Sequence, residues 1–156
     1  MLKAQNKGSF REMIRTVLAT MALAIGVTAV AAQSDPIAAR KALMKANGDQ
    51  AKIGAPMAKG EAPFDLAKAK TVFTTFADTE KATALFPDNS KTGGETAALP
   101  KIWEDKADFE ARLTKIAADA KAAAGSITDL DSFKTAWGGV VKQCGGCHET
   151  YRQKMS

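Results

Sequence analysis

The 156-residue sequence predicts an all-α protein, an antiparallel up-down-up-down four-helix bundle. Three observations carry this expectation. Runs of β-branched residues are scarce, and no segment alternates apolar and polar side chains with period two. Apolar residues recur instead at three- and four-residue intervals over four segments. Caps, prolines and glycines delimit those segments, and the connections are mostly short, as between antiparallel neighbours.

Ahead of the first helix lies a segment of a different kind. Lys3, Lys7, Arg11 and Arg15 precede an apolar run from Val17 to Val30, and the small residues Ala29, Ala31 and Ala32 offer cleavage points. This is the layout of a secretory signal, so residues 1–32 are expected to be removed and 33–156 to form one domain. The run is shorter than the about 20 residues of a comfortable membrane span, an uncleaved anchor being the alternative. The removed segment carries four basic residues and one acid, so cleavage lowers the formal charge from +5 to +2. So small a charge, without any nucleic-acid motif, argues against a polyanion-binding role.

The first helix is expected over 36–59. Ser34-Asp35-Pro36 supplies a cap and a proline at the first helical position, Ile37, Leu43, Met44 and Ala51 form an apolar stripe, Pro56 predicts a kink or early stop, and Gly60 ends the segment. Asp65 opens the second, with Leu66, Ala69, Val72, Phe73, Phe76 and Leu85 as its inner face and Pro87 as its stop. A polar connection follows to Leu99, containing Gly93-Gly94. Its length is close to the point at which a loop usually has a task. Pro100 starts the third helix, Glu104 and Asp105 suit the positive end of its dipole, and Gly125 is read as its C-cap. The fourth begins near Thr128-Asp129, with Asp131 completing a box-like pair, and carries Phe133, Trp137, Val140, Cys144, Cys147, His148 and Tyr151 on one stripe.

Within that stripe, Cys144-Gly145-Gly146-Cys147-His148 contains both cysteines and the only histidine of the chain. On a helix, residues at i, i+3 and i+4 share a face, so two thiols and an imidazole meet one flat ligand. The pattern is that of covalent haem attachment: thioethers from Cys144 and Cys147, and iron bound by His148. A structural zinc site needs four ligands and the chain offers three. A redox pair of the thioredoxin kind calls for a βαβ setting that is absent, and a plain structural disulfide is the weaker remaining reading. Haem c is therefore expected near the C-terminal helix, with the polar loop after Pro87 crossing one of its edges. Two propionates would bring the mature chain near neutrality, and attachment in an oxidising compartment places it in the periplasm. Gly138-Gly139 and Gly145-Gly146 each cost about 1 kcal/mol per glycine within a helix. Close approach of haem to backbone would explain the second pair, and tolerated weakness the first.

Four stretches together resemble the cytochrome c prime family, the class II c-type cytochromes. They are Arg40-Lys41-Ala42-Leu43-Met44, Ala58-Lys59-Gly60-Glu61-Ala62-Pro63-Phe64-Asp65, Leu99-Pro100-Lys101-Ile102-Trp103, and the haem motif followed by Tyr151-Arg152. The resemblance spans the whole mature chain. It implies that His148 is the proximal ligand and that Met44, four residues after Arg40, faces iron on the distal side, as in the low-spin branch of the family. Elimination supports Met44, since Met155 ends the chain and Met57 lies about 20 Å along the same helix. The alternative is an adaptable methionine that covers iron without bonding. The resemblance further implies that Arg40 partners a propionate, that Arg152 stands beside the proximal face, and that Glu95 and Thr96 lie on the loop passing the haem. Trp103 and Trp137 are read as packing residues.

These readings point to an exported electron carrier with both iron faces filled and redox proteins as partners. A solvated helix face is the ordinary reading of Lys101 and Lys106, a weak docking face the other. The alternative function is a five-coordinate protein binding nitric oxide or carbon monoxide. With its single histidine used proximally, the chain offers no distal base for enzymatic chemistry. A homodimer through the first two helices is the assembly the resemblance implies.

Overall fold

The computed structural model describes residues 35–154, so the expected signal segment and Met155 lie outside the described residues. Helix α1 starts at Pro36 and runs to Lys59. It passes through Pro56 without stopping, because this proline sits in the last turn. Its carbonyl still accepts from Glu61 N at 2.9 Å, Gly60 N reaches Met57 O at 3.2 Å, and Gly60 takes φ 77°, the left-handed close that favours glycine.

Asp65 caps helix α2, Leu66–Ala77, by accepting from Lys68 N at 3.0 Å. The second helix is shorter than Pro87 as its stop implied. From Asp78 to Leu85 the chain tightens into a 3-10 segment, and the α-helical rise ends about two turns early. The third helix is likewise divided. A single turn, α3 at Lys101–Glu104, breaks at Asp105 (φ −132°, ψ 52°) before α4 runs from Lys106 to Ser126. Gly125 lies inside α4 and closes nothing; Ile127, extended and buried, ends that helix. Helix α5, Leu130–Tyr151, is capped by Asp129, and its box partner is Ser132 rather than Asp131. A serine at the third helical position can return a bond to the cap backbone, which Asp131, one position earlier, does not do.

Helix α2 packs on α1 and α4, α4 on α5, and α5 returns to α1, so the four long helices close a ring. No strand is present among the described residues, only one isolated bridge between Ala98 and Arg152. The core follows the anticipated stripes: Val72, Phe73 and Phe76 from α2, Phe109, Leu113, Ile116 and Ala120 from α4, Phe133 and Val140 from α5. Phe73 and Phe133 meet edge to face at 5.7 Å, and Trp137 stacks obliquely on Phe76 and Phe133 at 6.0 and 5.8 Å. Trp103 donates its indole N–H to Phe86 O at 3.1 Å and packs on the Phe86 ring. Both tryptophans are packing residues, as their positions implied.

Helix α1 contributes differently from its expected stripe. Its buried residues are Arg40, Gly54 and Met57, while Ile37, Leu43, Met44 and Ala51 are half-buried. Gly54 is where α1 and α5 touch, for a Cβ there would overlap the Trp137 ring, lying 2.8 Å from Cη2 and 3.0 Å from Cε3. Gly54→Ala is expected to lower stability by about 1–3 kcal/mol through overpacking. Thermal unfolding checks this, and adding Trp137→Leu should recover part of the loss.

Candidate functional site

Beyond the Gly54 contact, α1 and α5 border a cavity of about 410 Å³, within the about 300–1,000 Å³ usual for cofactor and ligand sites. Cys144, Cys147 and His148 reach it from α5, and Met44 from α1, with Gly48 and Ala51 beside Met44. The spacing argument holds in three dimensions, since i, i+3 and i+4 of α5 all open onto the same space. Met57 is buried in the core and does not line it. Phe76, Ala82, Phe86, Ile102, Leu113 and Ile116 make the walls apolar.

The donor set fits a haem. Two thiols and one imidazole lie along one helix, a thioether stands on another, and the space is lined for a flat apolar body. Gly48 helps to open it: this glycine lies inside α1, and a Cβ there would meet no atom within 4 Å. A zinc cluster is not what the residues form, because no three His, Cys, Asp or Glu side chains converge as metal ligands among the described residues.

The last turns of α5 are held by contacts with α4. The Tyr151 hydroxyl donates to Asp108 Oδ2 at 2.5 Å, and Arg112 Nε donates to the same oxygen at 2.6 Å. Phe109 packs on the Tyr151 ring at 5.1 Å. Burial, and then the bond to Asp108, push the Tyr151 hydroxyl up to about 12, while Tyr151 and then Arg112 hold the Asp108 carboxyl below 3.8. Tyr151 O accepts from Leu99 N at 3.0 Å and Gln153 N donates to Ala97 O at 2.8 Å, which fastens Arg152 at the cavity edge beside Ala97 and Ala98. Burial raises both cysteine thiols, that of Cys147 against the opposing pull of Arg112.

On the other helix, Arg40 is buried and lines the cavity, but its terminal nitrogens serve the loop. They donate to Leu85 O at 3.2 Å, Ser90 Oγ at 2.9 Å, Ser90 O at 3.1 Å and Thr96 Oγ1 at 2.8 Å. The guanidinium also lies over the Phe86 ring at 4.7 Å and the Trp103 ring at 5.8 Å. Arg40 is thus a clamp that draws the 86–98 connection over the cavity. Thr96, Ala97 and Ala98 line the cavity as the loop's length suggested. Glu95 does not: its side chain is 99% exposed, 4.0 Å from Lys41 Nζ. Gly145 and Gly146 are outside the lining, and a Cβ at either would meet no atom within 4 Å. Among the cavity residues, Gly48, Asn47 and Thr79 were not foreseen. A glycine four residues after Met44 and an asparagine three after it were the available signals.

The His148 imidazole is held below 6.5, first by burial and then by the Arg152 charge. Its neutral form is therefore the one available at pH 7. A depressed folded value means that this contribution to stability is present above pH 6.5 and is lost as pH falls from there through the folded value. In the haem-free Cys144→Ser/Cys147→Ser chain, NMR titration should give a His148 midpoint below 6.5. Arg152→Gln should raise it without restoring 6.5, since burial is the larger cause. Arg40→Leu should cost at least about 1.5–3 kcal/mol, the value of one hydrogen bond to a charged group, and should speed tryptic cleavage after Lys91 in the released loop.

The family model described as Cytochrome C' matches residues 35–152. A protein named cytochrome c' from Rhodopseudomonas palustris is 49% identical over 142 residues, covering 89% of this chain and 97% of its own. A solved cytochrome c' structure from the same organism superposes with a TM-score of 0.76 at 51% identity, over 80% of this chain and 100% of that one. A cytochrome c-556 from Rhodopseudomonas palustris is 36% identical over 91% of this chain and 99% of its own.

Proposed function

The chain belongs to the cytochrome c' family, and from that premise we propose that it is an exported electron carrier with His148 and Met44 as its two axial ligands. It is a c-type cytochrome, with haem c attached covalently through Cys144 and Cys147. When bound, that group supplies one-electron exchange between ferrous and ferric iron. The observation that carries the reading is that Met44 and His148 open from two different helices onto one apolar cavity, with Met57 buried elsewhere.

Each neighbouring residue then has a task in holding a fixed redox site. His148 presents a neutral imidazole because burial and Arg152 disfavour its proton. Asp108, Tyr151 and Arg112 fix the turn of α5 that carries it. Phe76, Phe86 and Leu113 keep water from the cofactor, and the Arg40 clamp keeps the covering loop in place. A thioether ligand in such surroundings favours the reduced state and raises the potential.

No helix among the described residues is long and apolar enough to cross a membrane. With the signal-like segment 1–32, this supports a periplasmic location and redox proteins as partners. Exposed Ile53 on α1 and Leu66 on α2 support a homodimer through those helices.

Met44→Ala in the holoprotein tests the axial assignment. The low-spin absorption and electron paramagnetic resonance spectra should become high-spin, and the potential should fall. An unchanged spectrum would leave Met44 as a plug and make nitric oxide or carbon monoxide binding the leading function.

A further inference from the structure

A partner that exchanges electrons must reach the surface where the cofactor space opens, and uncompensated charge there steers it in. Lys101 and Lys106, the expected candidates, do not supply it. Lys101 stands 3.9 Å from Asp105 and Lys106 3.9 Å from Glu110, and such exposed pairs present little net charge to a distant molecule. The uncompensated charge lies on another helix. Among the described residues, Lys134, Lys142, Arg152 and Lys154 have no carboxylate oxygen within 4.0 Å, and all of them belong to α5 or directly follow it. Lys70 and Lys121, likewise uncompensated, lie singly on α2 and α4.

The same side of α5 is where the cavity meets the surface. Val141 lines the cavity and is nevertheless 37% exposed. At 3.6 residues per turn, Lys134 and Arg152 return to the Val141 face of the helix, whereas the acids Asp131 and Glu149 stand about 80° round from it, on the side of Lys142. Gly138 and Gly145 flank Val141, and a Cβ at either would meet no atom within 4 Å, so the approach is flat. A homodimer through α1 and α2 leaves this face to solvent. We infer that the outer face of α5 around Val141 is the docking surface for an acidic electron-transfer protein. Val141 is the apolar centre of the contact, and Lys134, Lys142 and Arg152 form its cationic rim. The inference rests on the electron-carrier reading and adds to it the partner's charge and its place of approach.

The test follows one-electron transfer from reduced flavodoxin, a small acidic protein, to the ferric holoprotein by stopped flow; the flavin loses the electron that reduces the iron. The wild-type rate should fall steeply as salt is raised. Lys134→Glu/Lys142→Glu should slow the low-salt reaction about tenfold, whereas Lys101→Glu/Lys106→Glu, with the same change in net charge, should slow it by less than about threefold. Unchanged absorption spectra show that both variants keep the haem site. If the two double variants slow the reaction equally, or neither slows it, the docking face is overturned. Voltammetry of the wild-type holoprotein keeps the two readings apart. With a reversible one-electron wave the carrier reading stands while the docking face falls, and without one both fall together.

Discussion

Helices α1 and α5 touch at Gly54 and Trp137 and border a cavity further along their length, and the remainder of the molecule depends on that difference. At the contact end there is no room for a single methyl group. At the other end, small residues on α1 and a row of reactive side chains on α5 face a space the size of a cofactor. A close-packed interior does not leave such a space unless rigid elements hold it open. Here α2 and α4 complete the ring, and their aromatic contacts to α5 fix the frame around the opening.

Two polar devices keep the cavity in shape without entering its apolar part. On one side the Arg40 guanidinium gathers Leu85, Ser90 and Thr96, converting a glycine-containing connection into a fixed lip. On the other, Asp108 collects the Tyr151 hydroxyl and Arg112, which ties the end of α5 to the start of α4. Hydrogen bonds to charged groups are worth more than neutral ones, and both devices use them at the boundary between protein and cofactor space. The electrostatic result is a neutral imidazole among apolar walls, with positive charge held at the rim by Lys41 and Arg152.

The chemistry of the site was legible in the sequence because it depends on spacing along one helix. Cys144, Cys147 and His148 needed only the helical repeat, and Met44 followed from resemblance and from the small number of thioethers. The layout of four helices was legible for the same reason, being set by periodicity and caps. What escaped depends on contacts between distant segments. The shortening of the second helix into a 3-10 segment places Thr79 and Ala82 on the cavity, and no local signal announces it. The bond from Arg40 to Ser90 joins residues fifty apart. The box partner of Asp129 is Ser132 and not Asp131, because the side chain at the third helical position is the one that reaches back to the cap backbone. Gly125 has the residue type of a C-cap, but α4 continues through it to close on buried Ile127.

The pairing of Ala98 with Arg152 ties the last residues of the chain to the loop before α3. Met44, near the front, and Cys144, near the end, are about one hundred residues apart, so the cavity is built almost wholly from sequence-distant contacts. The cavity therefore cannot form until nearly the whole chain is available, since one wall carries Met44 and another carries Cys144.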